Sequence, residues 1–423
     1  MMQDPVLITG ARITPIAFVD PPLLNTVGVH QPYALRAIIE LDTDAGVVGL
    51  GETYADAAHL ARLDAAAQAI TGLDVFVLNA IRDAVDTALG TLSITGGDGV
   101  AGMITTASTT DRVFSPFEIA CLDVQGKVLG RPVSDLLGGK VRDSVPFSAY
   151  LFYKWAAHPG AQPDEWGEAV DPAGLVRQAR KMIGEYGFGA IKVKGGVFSP
   201  DEEIAGIKAL REAFPELPLR LDPNAAWTVD TSIRVASELD GIVEYLEDPT
   251  PGLDGMAEVA REAKMPLATN MCVVAFDHLK PAVVKDSVQV VLSDHHYWGG
   301  LQRSRLLAGI CDTFELGLSM HSNSHLGISL AAMVHLAAAT PNLTYACDTH
   351  WPWKHEDVVV PGVLNFVDGA VAVPTGPGLG IEIDQDALAA LHQQYLDCGI
   401  RDRDDTGYMQ SIDPSFENTC PRW

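Results

Sequence analysis

The sequence is poor in the features that mark secreted and membrane proteins. Its six cysteines are scattered and form neither a C-x-x-C pair nor a disulfide-like spacing, as is typical of a reducing compartment. No basic segment followed by an apolar run opens the chain, and no apolar run reaches about 18 residues, the length that spans a bilayer. We therefore expect a cytoplasmic protein without membrane contact.

Positive charge is also scarce. The chain has 29 Lys and Arg residues against 55 Asp and Glu residues, and its net charge of −26 disfavours nucleic acid as a partner. The same acidity repels an anionic substrate at long range, so any anion site must be locally positive. With 423 residues, 47% of them hydrophobic, the chain can bury a large core in more than one domain.

The first 140 residues predict an α+β domain, because strand-like alternation is followed by helical spacing. The Gly- and Thr-rich stretch 91–110 is interpreted as a loop between helices. The predicted strands are 6–18 and 33–52, and the predicted helices lie within 56–90 and 117–129.

From about residue 141, short apolar segments alternate with helices. One helix start is marked by Ser199-Pro200-Asp201-Glu202, a capping box with proline at the first helical position. Repeated strand–helix units make a parallel sheet, and their number predicts a (β/α)8 barrel over residues 141–365. The predicted barrel strands are 147–152, 191–194, 219–222, 243–247, 267–270, 288–294, 316–321 and 343–348.

Polar residues fall at the C-terminal ends of successive predicted strands. Their spacings are 28, 25, 23, 24 and 27 residues, about one βα unit each. A single strand-end carboxylate is commonly a helix cap, but six polar residues in register indicate a site, because chemistry in such barrels is assembled at this face. The six residues are Lys194, Asp222, Glu247, Asn270, Asp294 and His321.

Three of these residues are oxygen donors on adjacent strands. Asp222, Glu247 and Asn270 suit a hard cation such as Mg²⁺, which keeps water or substrate oxygens as its other ligands. The set contains no Cys or His, which argues against zinc. The sequence therefore predicts a Mg²⁺ site at the barrel mouth.

A candidate base lies on each side of the metal donors. Lys192 and Lys194 leave the same face of a strand, and their repulsion and partial burial favour a neutral amine; the alternative is two solvated lysines on an edge strand. Asp294 lies one strand from His321 and raises its basicity; the alternative is a core histidine with satisfied hydrogen bonds. Two bases beside a metal suit the removal of a proton α to a carboxylate.

Further motifs extend along nearly the whole chain. They include Leu24-Asn25, Gly28-Val29-His30, His321-Ser322-Asn323, Asp348-Thr349-His350-Trp351 and Arg403-Asp404-Asp405. On these motifs the chain resembles the enolase superfamily, in its mandelate-racemase-like branch, and within that branch the glucarate dehydratases. The resemblance implies a modified (β/α)8 barrel of the TIM type, with an α+β capping domain built from residues 1–140 and the C-terminal segment 366–423.

The same resemblance implies roles for the site residues. Lys194 takes the C5 proton from one epimer of an acid sugar, and His321 takes it from the other. His321, oriented by Asp294, also protonates the departing 4-hydroxyl. Arg403 offers a bidentate fork to the distal carboxylate. The implied catalytic set also includes Lys192 and Asn323, and the implied substrate contacts are Asn25, His30, Thr105, Tyr150, Phe152, His350 and Arg403.

The implied activity is Mg²⁺-dependent dehydration of D-glucarate, and also of L-idarate, to 5-dehydro-4-deoxy-D-glucarate, by a cytoplasmic homo-oligomer. The family's substrate-contacting threonine falls among residues 104–107, which leaves the epimer preference open. One alternative is a dehydratase or epimerase of another aldarate or aldonate, such as galactarate. Another is a catalytically weak aldarate-binding paralogue. A Schiff-base aldolase acting through Lys194 leaves the three metal donors unexplained.

Overall fold

A computed structural model describes residues 4–90 and 106–423. Its N-terminal part contains an antiparallel sheet of three strands and a separate two-stranded hairpin. The elements are β1 (Ile8–Val19), β2 (Leu24–Asn25), β3 (Gly28–Val29), β4 (Tyr33–Thr43), β5 (Val48–Tyr54), α1 (Ala57–Ile70), α2 (Leu78–Leu89), α3 (Thr106–Leu129) and α4 (Val133–Leu136). In the three-stranded sheet β4 lies between β1 and β5. Thr105 and most of the predicted loop lie outside the described residues.

Helix α3 is longer than predicted. The predicted start at Phe117 is wrong, because the helix begins at Thr106 and continues through Pro116. Apolar residues on both sides of the proline are buried in one cluster, so packing extends the helix across it. Gly49 and Gly51 of β5 permit this contact, since a Cβ at either position would collide with the α3 backbone.

The middle of the chain forms a curled parallel sheet of seven strands, in the order β13-β12-β11-β10-β9-β8-β7. The predicted capping box at Ser199 is confirmed. The elements are β6 (Ser144–Pro146), β7 (Ala149–Phe152), α5 (Pro172–Tyr186), β8 (Ile191–Lys194), α6 (Pro200–Ala213), β9 (Leu219–Asp222), α7 (Val229–Glu238), β10 (Tyr245–Glu247), α8 (Gly252–Glu262), β11 (Leu267–Thr269), α9 (Phe276–Lys285), β12 (Val290–Ser293), α10 (Leu301–Thr313), β13 (Gly317–Met320) and α11 (Gly327–Ala338). The predicted TIM-type fold is therefore confirmed.

The prediction of an eighth strand at residues 343–348 is wrong. This segment forms only an isolated bridge, between Cys347 and Phe147. The N–H groups of Thr344 and Tyr345 both donate to the Leu318 carbonyl, so a regular ladder does not form. The segment still hydrogen-bonds to β13 on one side and to the chain around β7 on the other, and it fills the eighth position of the barrel.

The C-terminal segment returns to the N-terminal sheet. Its elements are β14 (Phe366–Val367), β15 (Ala370–Ala372), α12 (Gln385–Cys398) and α13 (Asp405–Ile412). Gln394 of α12 donates to the Ala17 carbonyl of β1 at 3.0 Å. Asp405 at the start of α13 accepts the Gln31 backbone N–H at 3.1 Å. The domain limits at residues 140 and 365 stay predictions. Among the described helices, none is long and apolar enough to cross a membrane.

Candidate active site

A cavity of about 260 Å³ opens at the C-terminal ends of the barrel strands. Residues from the N-terminal part, the barrel and the C-terminal segment all line it. The predicted residues in its wall are Asn25, His30, Tyr150, Phe152, Lys194, Asn270, His321, Asn323, His350 and Arg403. The structure places Lys192, Asp222, Glu247 and Asp294 beneath this wall, where all four are buried.

Oxygen atoms at the base of the cavity accept no hydrogen bond from the described residues. Both carboxylate oxygens of Glu247 and the amide oxygen of Asn270 are buried, and none accepts a hydrogen bond from the described residues. Lys192 Nζ lies 2.6 Å from Glu247 Oε2, an ion pair without hydrogen-bond geometry. Asp248 fixes the loop by accepting the Asn270 backbone N–H at 2.8 Å. Because unpaired buried oxygens are costly, these two residues and Asp222 fit a hard divalent cation.

Lys192 is surrounded by carboxylates. Its Nζ lies 2.7 Å from Asp348 Oδ2, 2.6 Å from Glu247 Oε2 and 3.5 Å from Asp222 Oδ2. Burial lowers the pKa of Lys192, but Asp348 and Glu247 outweigh burial and raise the pKa well above its ordinary value. The predicted effect of repulsion and burial is therefore outweighed at Lys192, because carboxylates from other strands supply counter-charge, and the use of one of the two lysines as a base stays a prediction.

Lys194, at the end of β8, faces the cavity. Its Nζ lies 2.7 Å from Asp222 Oδ2 and donates to Asn224 Oδ1 at 2.8 Å. Asn224 has a left-handed backbone, with φ of 56°, and its amide donates to Thr26 Oγ1 at 2.9 Å. Burial raises the pKa of Asp222, but Lys194 and Lys192 outweigh burial and lower the pKa below its ordinary value. Asp222 is therefore a carboxylate that holds the Lys194 amine at the cavity wall.

His321 faces the cavity from the opposite side of the barrel. Four strands separate β13 from β8 in the sheet. His321 Nδ1 lies 2.9 Å from Asp294 Oδ2, so the predicted pairing of these residues is confirmed. Asp294 Oδ1 accepts from the backbone N–H of His296 at 2.9 Å and from its ring Nδ1 at 2.8 Å. Burial raises the pKa of Asp294, but His296 and His321 outweigh burial and lower it well below its ordinary value.

Aromatic rings form one wall of the cavity. The His350 ring centroid lies 5.0 Å from that of Tyr150 and 5.4 Å from that of Phe152. Burial, followed by nearby histidines, lowers the pKa of His350 well below its ordinary value, so its ring is neutral. His30 Nδ1 lies 3.0 Å from Asp20 Oδ2. Asn25 stands at the same rim of the cavity.

Arg403 lines the cavity, but its guanidinium is already engaged. Both Nε and Nη2 donate to Asp405 Oδ2, at 2.9 and 2.8 Å. Asp405 holds one edge of the guanidinium, and the edge formed by Nη1 and Nη2 keeps three N–H donors for a ligand, so the bidentate contact with a substrate carboxylate stays a prediction. Burial lowers the pKa of Arg403, but Asp405 outweighs burial and raises it above its ordinary value.

Several cavity residues were not predicted. Tyr54, at the end of β5, accepts from Asn323 Nδ2 at 2.5 Å and donates to Tyr297 at 3.2 Å. No local pattern marks either tyrosine, because their partners are far away in the chain. Asp405 was within reach, since it belongs to the Arg403-Asp404-Asp405 motif, and Asn224 lies only two residues after the predicted metal donor Asp222.

Two family descriptions match the chain. "Mandelate racemase / muconate lactonizing enzyme, N-terminal domain" covers residues 17–138, and "Enolase C-terminal domain-like" covers residues 174–387. The chain therefore belongs to the enolase superfamily, in its mandelate racemase and muconate lactonizing enzyme branch. Within that branch it is glucarate dehydratase-like. It is 52% identical to the "Probable glucarate dehydratase" of Streptomyces coelicolor over 100% of both chains.

Solved structures agree with this placement. An enolase from Mycobacterium smegmatis, complexed with tartrate, is 76% identical over 100% of both chains, with a TM-score of 0.96. An enolase from Thermobispora bispora, complexed with magnesium and formate, is 63% identical over 99% of this chain and 100% of its own, with a TM-score of 0.97. These relatives bind small organic acids, and one of them binds magnesium.

Proposed function

We propose that the protein is a Mg²⁺-dependent acid-sugar dehydratase that converts D-glucarate, and also L-idarate, to 5-dehydro-4-deoxy-D-glucarate. The observation that carries the proposal is the opposition of Lys194 and His321 across one cavity, above three oxygen donors. The guanidinium of Arg403 also lines the cavity, beside Asp404 and Asp405 of the C-terminal segment. An aldarate has two carboxylates, one for the metal and one for this cation.

Asp222, Glu247 and Asn270 would hold the metal. Support comes from the buried oxygens of Glu247 and Asn270, which accept no hydrogen bond from the described residues, and from the magnesium in the Thermobispora bispora relative. When bound, the metal supplies positive charge that stabilises the negative charge developing on the substrate carboxylate as the C5 proton leaves.

Lys194 and His321, on opposite sides of the cavity, carry out different proton transfers. Lys194, as the free amine, takes the C5 proton of one epimer, and His321 takes that of the other. The C5–H electron pair becomes a C4–C5 double bond as the C4–O bond breaks. His321, with Nδ1 held by Asp294, gives a proton from Nε2 to the departing hydroxyl, which leaves as water. The resulting enol becomes the 5-keto product.

The proposal is tested by assaying the purified protein for formation of the 5-keto acid product from D-glucarate and L-idarate. We expect turnover with Mg²⁺, loss of turnover after chelation with EDTA, and recovery when Mg²⁺ is restored. Galactarate and a set of aldonates belong in the same assay, since turnover of one of them alone would reassign the substrate. Tight aldarate binding without product would contradict dehydration and indicate a binding protein. Borohydride trapping of a substrate adduct would indicate an aldolase.

Replacement of Arg403 by Met should weaken recognition of the dicarboxylate. A hydrogen bond to a charged group contributes about 2 kcal/mol, so we expect kcat/KM for D-glucarate to fall about 30-fold, mainly through KM. Arg401→Met is the matched control, because Arg401 donates only to backbone carbonyls such as those of Tyr395 and Ile400 and does not line the cavity. Equal kinetics for the two variants would show that Arg403 does not contribute to substrate binding.

A further inference from the structure

A buried arginine of the N-terminal sheet reaches into the barrel. Arg36 lies on β4, is only 1% exposed, and does not line the cavity. Its Nη1 donates to Asn323 Oδ1 at 3.3 Å, and its Nη2 lies 2.9 Å from His296 Nε2. The guanidinium also stacks 4.6 Å above the ring of Tyr54. One side chain of the N-terminal part therefore contacts two residues next to the His321 pair.

The two hydrogen-bond partners of Arg36 also form hydrogen bonds with the Asp294 carboxylate. Asn323 Nδ2 lies 3.3 Å from Asp294 Oδ2, and His296 Nδ1 lies 2.8 Å from Asp294 Oδ1. A guanidinium can only donate, so Asn323 must turn its oxygen towards Arg36 and its N–H₂ towards Asp294. For the same reason His296 must accept at Nε2 and carry its proton on Nδ1, which donates to Asp294.

Arg36 is itself held in a fixed position. Its Nε donates to Glu52 Oε1 at 2.9 Å, and both residues are buried. Glu52 in turn accepts the backbone N–H groups of Leu326 at 2.8 Å and Ser329 at 2.9 Å, at the start of α11. A carboxylate at a helix N-terminus is favourable. The pair is therefore docked on a barrel helix and not only on its own sheet.

We propose that Arg36, anchored by Glu52, is a positioning residue for the Asp294–His321 pair. This inference rests on the proposed function. Without the guanidinium, the remaining partners of Asn323 Nδ2 and His296 Nε2, apart from Asp294, are the hydroxyls of Tyr54, at 2.5 Å, and Ser329, at 3.0 Å. A hydroxyl can accept or donate, so these partners allow the Asn323 amide to turn over and His296 to carry its proton on Nε2. Either change presents a lone pair to the Asp294 carboxylate, which then loses the donors that orient it towards His321. Arg36 has no hydrogen bond to Lys194, Asp222 or Asn224, so its removal acts on one side of the cavity.

The test compares proton exchange on the two sides. Arg36→Met and Arg36→Lys are incubated with D-glucarate and with L-idarate in D₂O, and deuterium at C5 of recovered substrate is measured. Lys194→Met first shows which epimer is served by His321. For that epimer we expect exchange to slow about 10- to 100-fold in Arg36→Met, the cost of a misplaced catalytic group, and less than threefold for the other.

The second variant and the control separate positioning from stability. Lysine keeps a positive charge beside Glu52 but lacks the forked guanidinium that donates to both Asn323 and His296. Arg36→Lys should therefore also slow exchange only for the epimer that His321 serves, even if Arg36→Met fails to fold. Arg303→Met is the matched control, because Arg303 also joins the N-terminal part to the barrel, through Asp111 at 3.1 Å. It should leave both exchange rates within twofold.

Equal slowing of exchange for the two epimers, or no slowing for either, would overturn the role of Arg36. Absence of exchange and product in the unmodified protein would instead reject the proposed function. The thermal unfolding temperature of each variant is measured alongside, so that a general loss of folded protein is recognised by its equal effect on both epimers.

Discussion

Replacement of His321 by Asn is expected to abolish dehydration of both D-glucarate and L-idarate, lowering kcat by about 10³-fold or more. In the proposed mechanism, His321 is the base for one epimer and the acid that protonates the 4-hydroxyl of both. Its Nδ1 is held by Asp294, which leaves Nε2 to act on the substrate. The measurement is keto-acid formation from each substrate at saturating concentration.

The His321 variant has a second, diagnostic property. Deuterium exchange at C5 should persist for the epimer that Lys194 serves, because proton abstraction there does not need the histidine. His278→Asn is the control, since His278 lies on α9 and does not line the cavity. Dehydration of either epimer at more than a tenth of the normal rate would show that another residue protonates the leaving group.

Replacement of Lys194 by Met should produce an asymmetric loss. The epimer whose C5 proton the lysine is proposed to remove is expected to lose about 10³-fold in kcat, because it loses the base assigned to it. The other epimer keeps both its base and its acid in His321. We expect it to lose about tenfold, since Asp222 then loses the Lys194 side chain, whose Nζ lies 2.7 Å from its Oδ2. Turnover of each epimer is measured separately.

Lys208→Met is the control for this variant, because Lys208 forms a surface ion pair with Glu238 at 2.7 Å and such pairs contribute little. A loss of the same size for both epimers would show that Lys194 acts on the metal donors or the fold and is not the base for one face. Retention of both activities would remove Lys194 from the chemistry altogether.

The strand-end register could be predicted because it is a local property of the chain. Each βα unit places one residue at the same face, so the spacing from Lys194 to His321 was enough to bring distant side chains to one cavity. The pairing of His321 with Asp294 followed from the same register. The eighth strand was not predictable in this way, since segment 343–348 has the apolar content of a strand but bonds irregularly to two neighbours.

Other parts of the site depend on contacts that leave no local pattern. Arg36 and Asn323 are separated by 287 positions, and nothing near either residue in the sequence indicates the other. Which of the two lysines keeps its charge could not be predicted for a similar reason, because the two carboxylates nearest to Lys192, on Glu247 and Asp348, come from elsewhere in the barrel. Their counter-charge outweighs burial and the neighbouring lysine.

The Arg36–Glu52 pair also limits how this enzyme can be re-engineered. Exchanging the N-terminal part for that of a relative, in order to change the sugar accepted, would carry away the guanidinium that sets the Asn323 amide and the His296 tautomer. A chimaera that keeps arginine and glutamate at these two positions should retain an ordered proton-transfer pair. A chimaera that loses them would have a new substrate specificity but a poorly oriented His321. A screen that measures activity alone would discard this chimaera.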